Sequence, residues 1–207
     1  MSGKFITLEG GEGVGKSTQL TALAAALTAH GLSVVTTREP GGSPGAEAIR
    51  HLLMSGSGDR WSARAEALLF AAARADHIER IIRPALERGE WVICDRFIDS
   101  TRAYQGGAGG LPDAEIMTLH KIGSGGLMPD RTLLLTLSAD DAAARTLLRD
   151  GDHPDRFGEK NRQYHQSVTE TFERLAASEP MRIRIVSAAG MADEVTERLL
   201  AHTSDLL

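Results

Sequence analysis

Residues 10–17 read Gly-Gly-Glu-Gly-Val-Gly-Lys-Ser, directly after an apolar run at residues 5–8. The spacing fits G-x-x-x-x-G-K-[ST], and no other stretch constrains this chain as tightly. Four glycines break a buried strand, and a helical pattern starts at once beyond them. Glycine lets successive backbone N–H groups curl around an anion with no side chains in the way. The helix that begins near Lys16 adds its positive end. Lys16 reaches the β- and γ-phosphates in such a loop, and the Ser17 hydroxyl serves as a Mg²⁺ ligand. A merely tight turn would need neither residue. Gly10, Gly11, Glu12, Gly13, Val14, Gly15, Lys16, Ser17 and Thr18 are therefore the candidate triphosphate cradle, with ATP and Mg²⁺ the expected occupants.

The rest of the chain sets that loop in an α/β pattern. Apolar runs predict strands at 5–8, 33–37, 91–94, 131–137 and 182–186. Between them, helical periodicity predicts helices at 17–30, 44–54, 62–87 with a break at Pro84, 113–122, 139–149, 160–177 and 191–202. Strands alternating with helices imply a parallel sheet with right-handed crossovers. The expected architecture is a three-layer P-loop NTPase-type sandwich: a five-stranded parallel sheet flanked by helices, one domain over residues 1–207, with a short lid insert near 149–162. Ligands of such sheets bind beyond the carboxyl ends of the strands.

Charge and cysteine content narrow the setting. A formal net charge of −5 over 207 residues argues against a nucleic-acid groove or a membrane surface. Cys94 stands alone, so no internal disulfide forms, and a reducing, cytoplasmic setting is expected. No stretch approaches membrane-spanning length.

A triphosphate loop names no activity: a phosphotransferase, a GTPase switch and a regulatory ATPase all remain open. The guanine-reading pattern N-K-x-D is absent, because the single asparagine, Asn161, is followed by Arg162. Two further strand ends favour a phosphotransferase, which needs a second anion site. The run at 95–107 is DRFIDSTRAYQGG. Asp95 can approach a metal or its waters, Arg96 can clamp phosphate, and Ser100, Tyr104 and Gln105 offer hydrogen bonds. The run at 37–42 is TREPGG, where Arg38 is a second cation and a cis Glu39–Pro40 bond is open to the chain.

Taken together, LEGGEGVGKST, TREPGG, LLFAAARADH, ERGEWVICDRFIDSTRAYQGG, MPDRTLLL and DRF followed by YH resemble the bacterial thymidylate kinases nearly end to end. The resemblance implies transfer of the γ-phosphate of ATP to dTMP. It implies that Phe70 stacks on thymine, that Arg74 and Gln105 hydrogen-bond the base with Ser100 nearby, and that Arg38 and Arg96 hold the acceptor phosphate. Glu12 would face the sugar 3′-hydroxyl, Tyr104 the deoxyribose, and Arg50 the edge of the acceptor pocket. Ser17 and Asp95 would be the metal-side residues. On residue type alone, Phe70 reads as plain core, and Arg74 as a solvated helix residue.

One type of these kinases carries an arginine directly after the acidic residue of the loop. Here that position is Gly13, so the resemblance implies the type that supplies arginine from a lid. Arg145, Arg149, Arg156 and Arg162 span the insert, with Arg149 the first candidate for the transferred phosphate and Arg156 and Arg145 next, and Arg145 and Arg149 also expected at ATP; sequence alone does not choose among these arginines. The chain departs from the family pattern at 135–137 (Leu-Thr-Leu, with no carboxylate), at Phe97 in place of a tyrosine, and at Ser167, Thr169 and Thr171 where basic residues are common. The resemblance also suggests a homodimer.

Overall fold

The computed structural model describes residues 3–56, 60–138, 140–142, 144–145, 157–158 and 160–207. Five strands, β1 (Phe5–Glu9), β2 (Val34–Arg38), β3 (Trp91–Asp95), β4 (Arg131–Thr136) and β5 (Ile183–Ser187), form one sheet in the order β2-β3-β1-β4-β5. All neighbours are parallel. β1 lies at the centre and is buried along its whole length, which is why it reads as an apolar run and does not alternate. The register pairs Leu8 with Asp95, and Arg38 with the same Asp95. Three strand ends thus come together at one edge, each carrying one of the stretches singled out in the sequence.

Helices cover both faces. On one, α1 (Lys16–Ala29) sends Leu23 and Leu27 into a core with Ile6, Leu8, Ile93, Leu133 and Val186. Gly31, at φ 83, follows its end in the left-handed region. The last helix here, α8 (Ala192–Ala201), adds Val195 and Leu199 to that core. On the other face lie α2 (Pro44–Met54), α3 (Ala63–His77), α4 (Arg83–Glu87), α5 (Ile98–Thr101), α6 (Asp113–Ser124) and α7 (Arg162–Ser178). Ser43 and Ser62 cap α2 and α3 with their side-chain oxygens, and Asn161 Oδ1 caps α7 at 2.9 Å from Tyr164 N.

Two departures from the expected elements have local causes. The helix expected over 62–87 is interrupted by a π-helical turn, Ile78–Ile82, just ahead of Pro84. Proline has no N–H for the preceding turn, and the wider turn absorbs the mismatch. The run after Asp95, for which no helix is expected, is helical. It forms α5 and continues as a π-helical segment, Arg102–Ala108. A Cβ on Gly107 would sit 1.8 Å from Thr171 Oγ1, so this glycine allows α7 to lie directly against the segment. Thr171, one of the positions where the resemblance leads to an expected basic residue, is therefore a packing position.

Of the helix expected over 139–149, the described residues 140–142, 144 and 145 are helical. Arg149, Arg156 and most of the expected lid at 149–162 lie outside the described residues. No helix among the described residues is long and apolar enough to cross a membrane.

Candidate active site

The loop after β1 turns at Gly10 (φ 135), Gly13 (φ 71) and Gly15 (φ 92), all in the left-handed region. A side chain at Gly10 would also collide with Leu135 O, at 2.4 Å from the added Cβ. Lys16 opens α1 and arches back, donating from Nζ to Gly10 O (3.2 Å) and Gly11 O (2.6 Å). Burial, helped by the neighbouring Arg96 charge, pushes the Lys16 ammonium down to about 8. This cation sits in a cradle of backbone groups and is poorly solvated, which is the condition for binding an anion strongly.

Next along α1, Ser17 Oγ donates to Asp95 Oδ2 at 3.0 Å. The other oxygen, Asp95 Oδ1, is buried and accepts no hydrogen bond among the described residues. A hydroxyl beside a carboxylate with uncommitted lone pairs is a donor set that fits Mg²⁺, which takes one or two protein oxygens and completes its shell with phosphate and water.

Arg96 adopts φ 68, a conformation that costs a non-glycine residue about 1–2 kcal/mol. The turn is fastened by Glu9 at the end of β1. Glu9 Oε1 accepts from Phe97 N (2.7 Å) and Ser100 N (3.3 Å), and its Oε2 accepts from Ser100 Oγ (2.5 Å). Burial, and then the Asp99 charge, push the Glu9 carboxyl up to about 8. The fastened turn aims the Arg96 guanidinium at Glu12 Oε1 (2.5 Å), Gly10 O (3.1 Å) and Ser100 Oγ (3.1 Å), 5.1 Å from the Tyr104 ring. Its pKa is raised. Burial opposes this, but Tyr104, Glu12, Asp95 and Glu9 outweigh it.

Beyond Arg96 a cavity of about 630 Å³ opens, and its walls unite both halves of the expected site. Glu12 to Thr18 and Arg145, the residues expected on the donor side, are among its lining. So are Arg38, Arg50, Phe70, Arg74, Arg96, Ser100, Tyr104 and Gln105, those expected on the acceptor side, and Asp95. Arg145 donates to Ala188 O at 3.3 Å, and its Nη1 lies 3.7 Å from where a Cβ on Gly15 would be. Arg38 pairs with Glu47 at 2.9 Å, and Arg50 donates to Pro40 O at 2.8 Å. Gln105 gives its amide to Glu66 Oε2 at 3.1 Å. Ser100 lines the cavity with its hydroxyl already engaged by Glu9 and Arg96. Arg74 is buried, not solvated. Cys94 is buried, burial pushes its thiol well up, and it donates to Arg96 O, so it is no nucleophile.

Several wall residues escape sequence reasoning. Ala188, Gly190, Ala192 and Val195 follow β5, and small apolar residues carry no chemical signature. Phe157 stands 6.1 Å from Phe70 and 6.3 Å from Tyr104, ring centre to ring centre. Glu9 has a signal that can be read: a carboxylate ending an otherwise apolar central strand.

The sequence model of the thymidylate kinase family matches residues 8–199, which include both walls of the cavity. The chain is a member of the thymidylate kinase family. It is 62% identical over 207 residues to the thymidylate kinase of Rhizorhabdus wittichii, covering all of both chains. It is 47% identical over 195 residues to that of Bradyrhizobium sp., covering 94% of this chain and 86% of the relative. The crystal structure of thymidylate kinase from Ehrlichia chaffeensis superposes with a TM-score of 0.78 at 30% identity, over 97% of this chain and 98% of that one. Phe97, where the resemblance leads to an expected tyrosine, is a packing residue. Its ring is fully buried edge-to-face against Phe5 at 4.8 Å and carries the Arg74 guanidinium at 5.1 Å.

Proposed function

We propose that this chain transfers the γ-phosphoryl group of ATP to dTMP, giving dTDP and ADP, as a Mg²⁺-dependent kinase working as one domain over residues 1–207. The observation that carries this reading is the two-sided cavity. A phosphate cradle and a second cluster of arginines face one space, with the Phe70, Arg74 and Gln105 wall beyond them. A hydrolase needs no second phosphate clamp.

In this reading Lys16 holds the donor phosphates, and Arg96, with Arg38, holds the acceptor phosphate. The acceptor oxygen is already anionic, so no general base is required. The work is alignment and charge neutralisation. Ser17 and Asp95 would hold Mg²⁺, which neutralises phosphate charge when bound. Arg145 adds a cation above the cradle. Arg149 is the further arginine proposed for the transferred group. Phe70 stacks the base, Arg74 and Gln105 contact its edge, Tyr104 and Glu12 face the sugar, and Arg50 closes the pocket edge. The cytoplasm is the proposed location. A homodimer is proposed on the exposed Leu68 of α3 and Ile122 of α6, two helices that pack together.

The test is ADP release with ATP and Mg²⁺, with dTMP, dUMP, dCMP, dGMP and UMP added separately. Rapid release is expected with dTMP, at least about tenfold above any other acceptor. Equal release without an acceptor would overturn the reading.

The pH profile checks Lys16 independently. The free enzyme keeps this ammonium charged only below about pH 8, and triphosphate binding favours the charged form. So kcat/KM for ATP should fall as pH rises through about 8, while kcat, which reports the loaded enzyme, holds to higher pH. Parallel profiles for the two would contradict this assignment.

A further inference from the structure

Behind the acceptor wall runs a buried chain of polar groups that none of the phosphate chemistry uses. Thr37 Oγ1 lies 2.7 Å from His77 Nε2. His77 Nδ1 lies 3.2 Å from Glu39 Oε1, and Glu39 Oε2 accepts from Arg74 Nε at 2.8 Å. Arg74 ends the chain by donating from Nη2 to Thr101 Oγ1 at 2.9 Å, above the Phe97 ring. His77 is fully buried, and Glu39 and Arg74 nearly so. Arg74 and His77 are three residues apart on the last turn of α3 and share a face. Glu39 follows the end of β2, just before Pro40. Gly42 leaves room for the chain: a Cβ there would lie 2.6 Å from both His77 Nε2 and Thr37 Oγ1.

An ion pair this buried is poor value as a stabiliser, because well-packed apolar residues would serve as well. Its value lies in geometry. A guanidinium only donates hydrogen bonds, and so does an exocyclic amine. Held still, the guanidinium rewards a carbonyl opposite it and penalises an amine. Free to swing, it can avoid the amine, and the penalty is lost.

We propose that His77 and Glu39 are positioning residues that hold Arg74 in one orientation and so set the selection of a pyrimidine bearing a carbonyl over one bearing an amine. This inference rests on the kinase reading above. Glu39 fixes Arg74 directly. His77, anchored by Thr37, fixes Glu39.

The test compares dTMP with dCMP as acceptors for wild type, Glu39→Gln, His77→Leu and His77→Gln, with folding checked by circular dichroism. Glu39→Gln and His77→Leu should raise KM for dTMP about tenfold to a hundredfold and shrink the dTMP-to-dCMP ratio of kcat/KM by a similar factor. KM for ATP should stay within about twofold of wild type. His77→Gln keeps an amide N–H for Glu39 and should recover most of the ratio. Should His77→Leu fail to fold, Thr37→Val tests the far end at nearly constant volume and should shrink the ratio to a lesser degree. An unchanged ratio in folded variants, or equal losses on the ATP and dTMP sides, overturns the positioning role. A wild type that does not phosphorylate dTMP overturns the kinase reading instead.

Discussion

Lys16→Ala should lower phosphoryl transfer by about 10²–10³-fold or more, the usual loss when a fixed cation is removed from developing phosphate charge, and the fold should stand. Both halves follow from how Lys16 is held. Its Nζ is bonded to the carbonyls of Gly10 and Gly11, so it is preorganised over the cradle before nucleotide arrives. Its pKa, pushed down to about 8 mainly by burial, shows that the folded protein disfavours the charged form. The unfolded chain holds that proton up to its ordinary, higher pKa. At neutral pH the charge on Lys16 therefore opposes folding, and alanine relieves that cost. The thermal midpoint of Lys16→Ala should match or exceed wild type in the absence of nucleotide. ATP should stabilise wild type and do much less for the variant. Coupled ADP release and thermal scans with and without ATP measure both. Near-normal turnover would remove the cradle assignment, and a collapsed fold would remove the account of Lys16 as a strained cation.

Much of this arrangement is legible in the residues, and the unreadable part has a common cause. A helix end at Gly31, a helix start at Pro44 and the strand end at the cradle glycines are marked by residues whose roles are local. Hence the parallel order of elements and the three strand-end stretches can be read directly. The segment after Asp95 cannot, because a π-helix has no distinct periodicity. What permits it, Gly107 against Thr171, depends on a helix more than sixty residues away. The same holds for Arg74. Its helical spacing suits a solvated residue, and only the fold brings Glu39 from the β2 loop to meet it. Phe70 shows the reverse. Helical position favours core, and the structure places the ring on the cavity wall, near Phe157 and within the apolar cluster around Tyr104. Pairings that cross the sheet edge set the site's electrostatics, and sequence spacing does not encode them.

Arg96 tests that point most sharply, because its position is bought with backbone strain. Arg96→Ala should cut kcat by about 10²–10³-fold, with a smaller change in KM for ATP, if, as proposed, its guanidinium serves the acceptor phosphate from the cavity wall. Arg96→Lys should recover only a small part. An ammonium cannot span Glu12, Gly10 O and Ser100 together as the fork does. Arg96→Gly separates chemistry from stability. At φ 68 glycine pays no steric penalty, so this variant should be more stable than Arg96→Ala by about 1 kcal/mol while being equally inactive. Denaturant midpoints and kcat for the three variants supply the comparison. If activity followed stability, with glycine rescuing turnover, then Arg96 would matter for shaping the turn and the phosphate clamp would have to be sought in Arg38. If glycine restores the midpoint and leaves kcat at the alanine level, the strained turn exists to hold one guanidinium where the two phosphates meet. Glu9, which fastens that turn through Phe97 N and Ser100, then belongs to the same machinery.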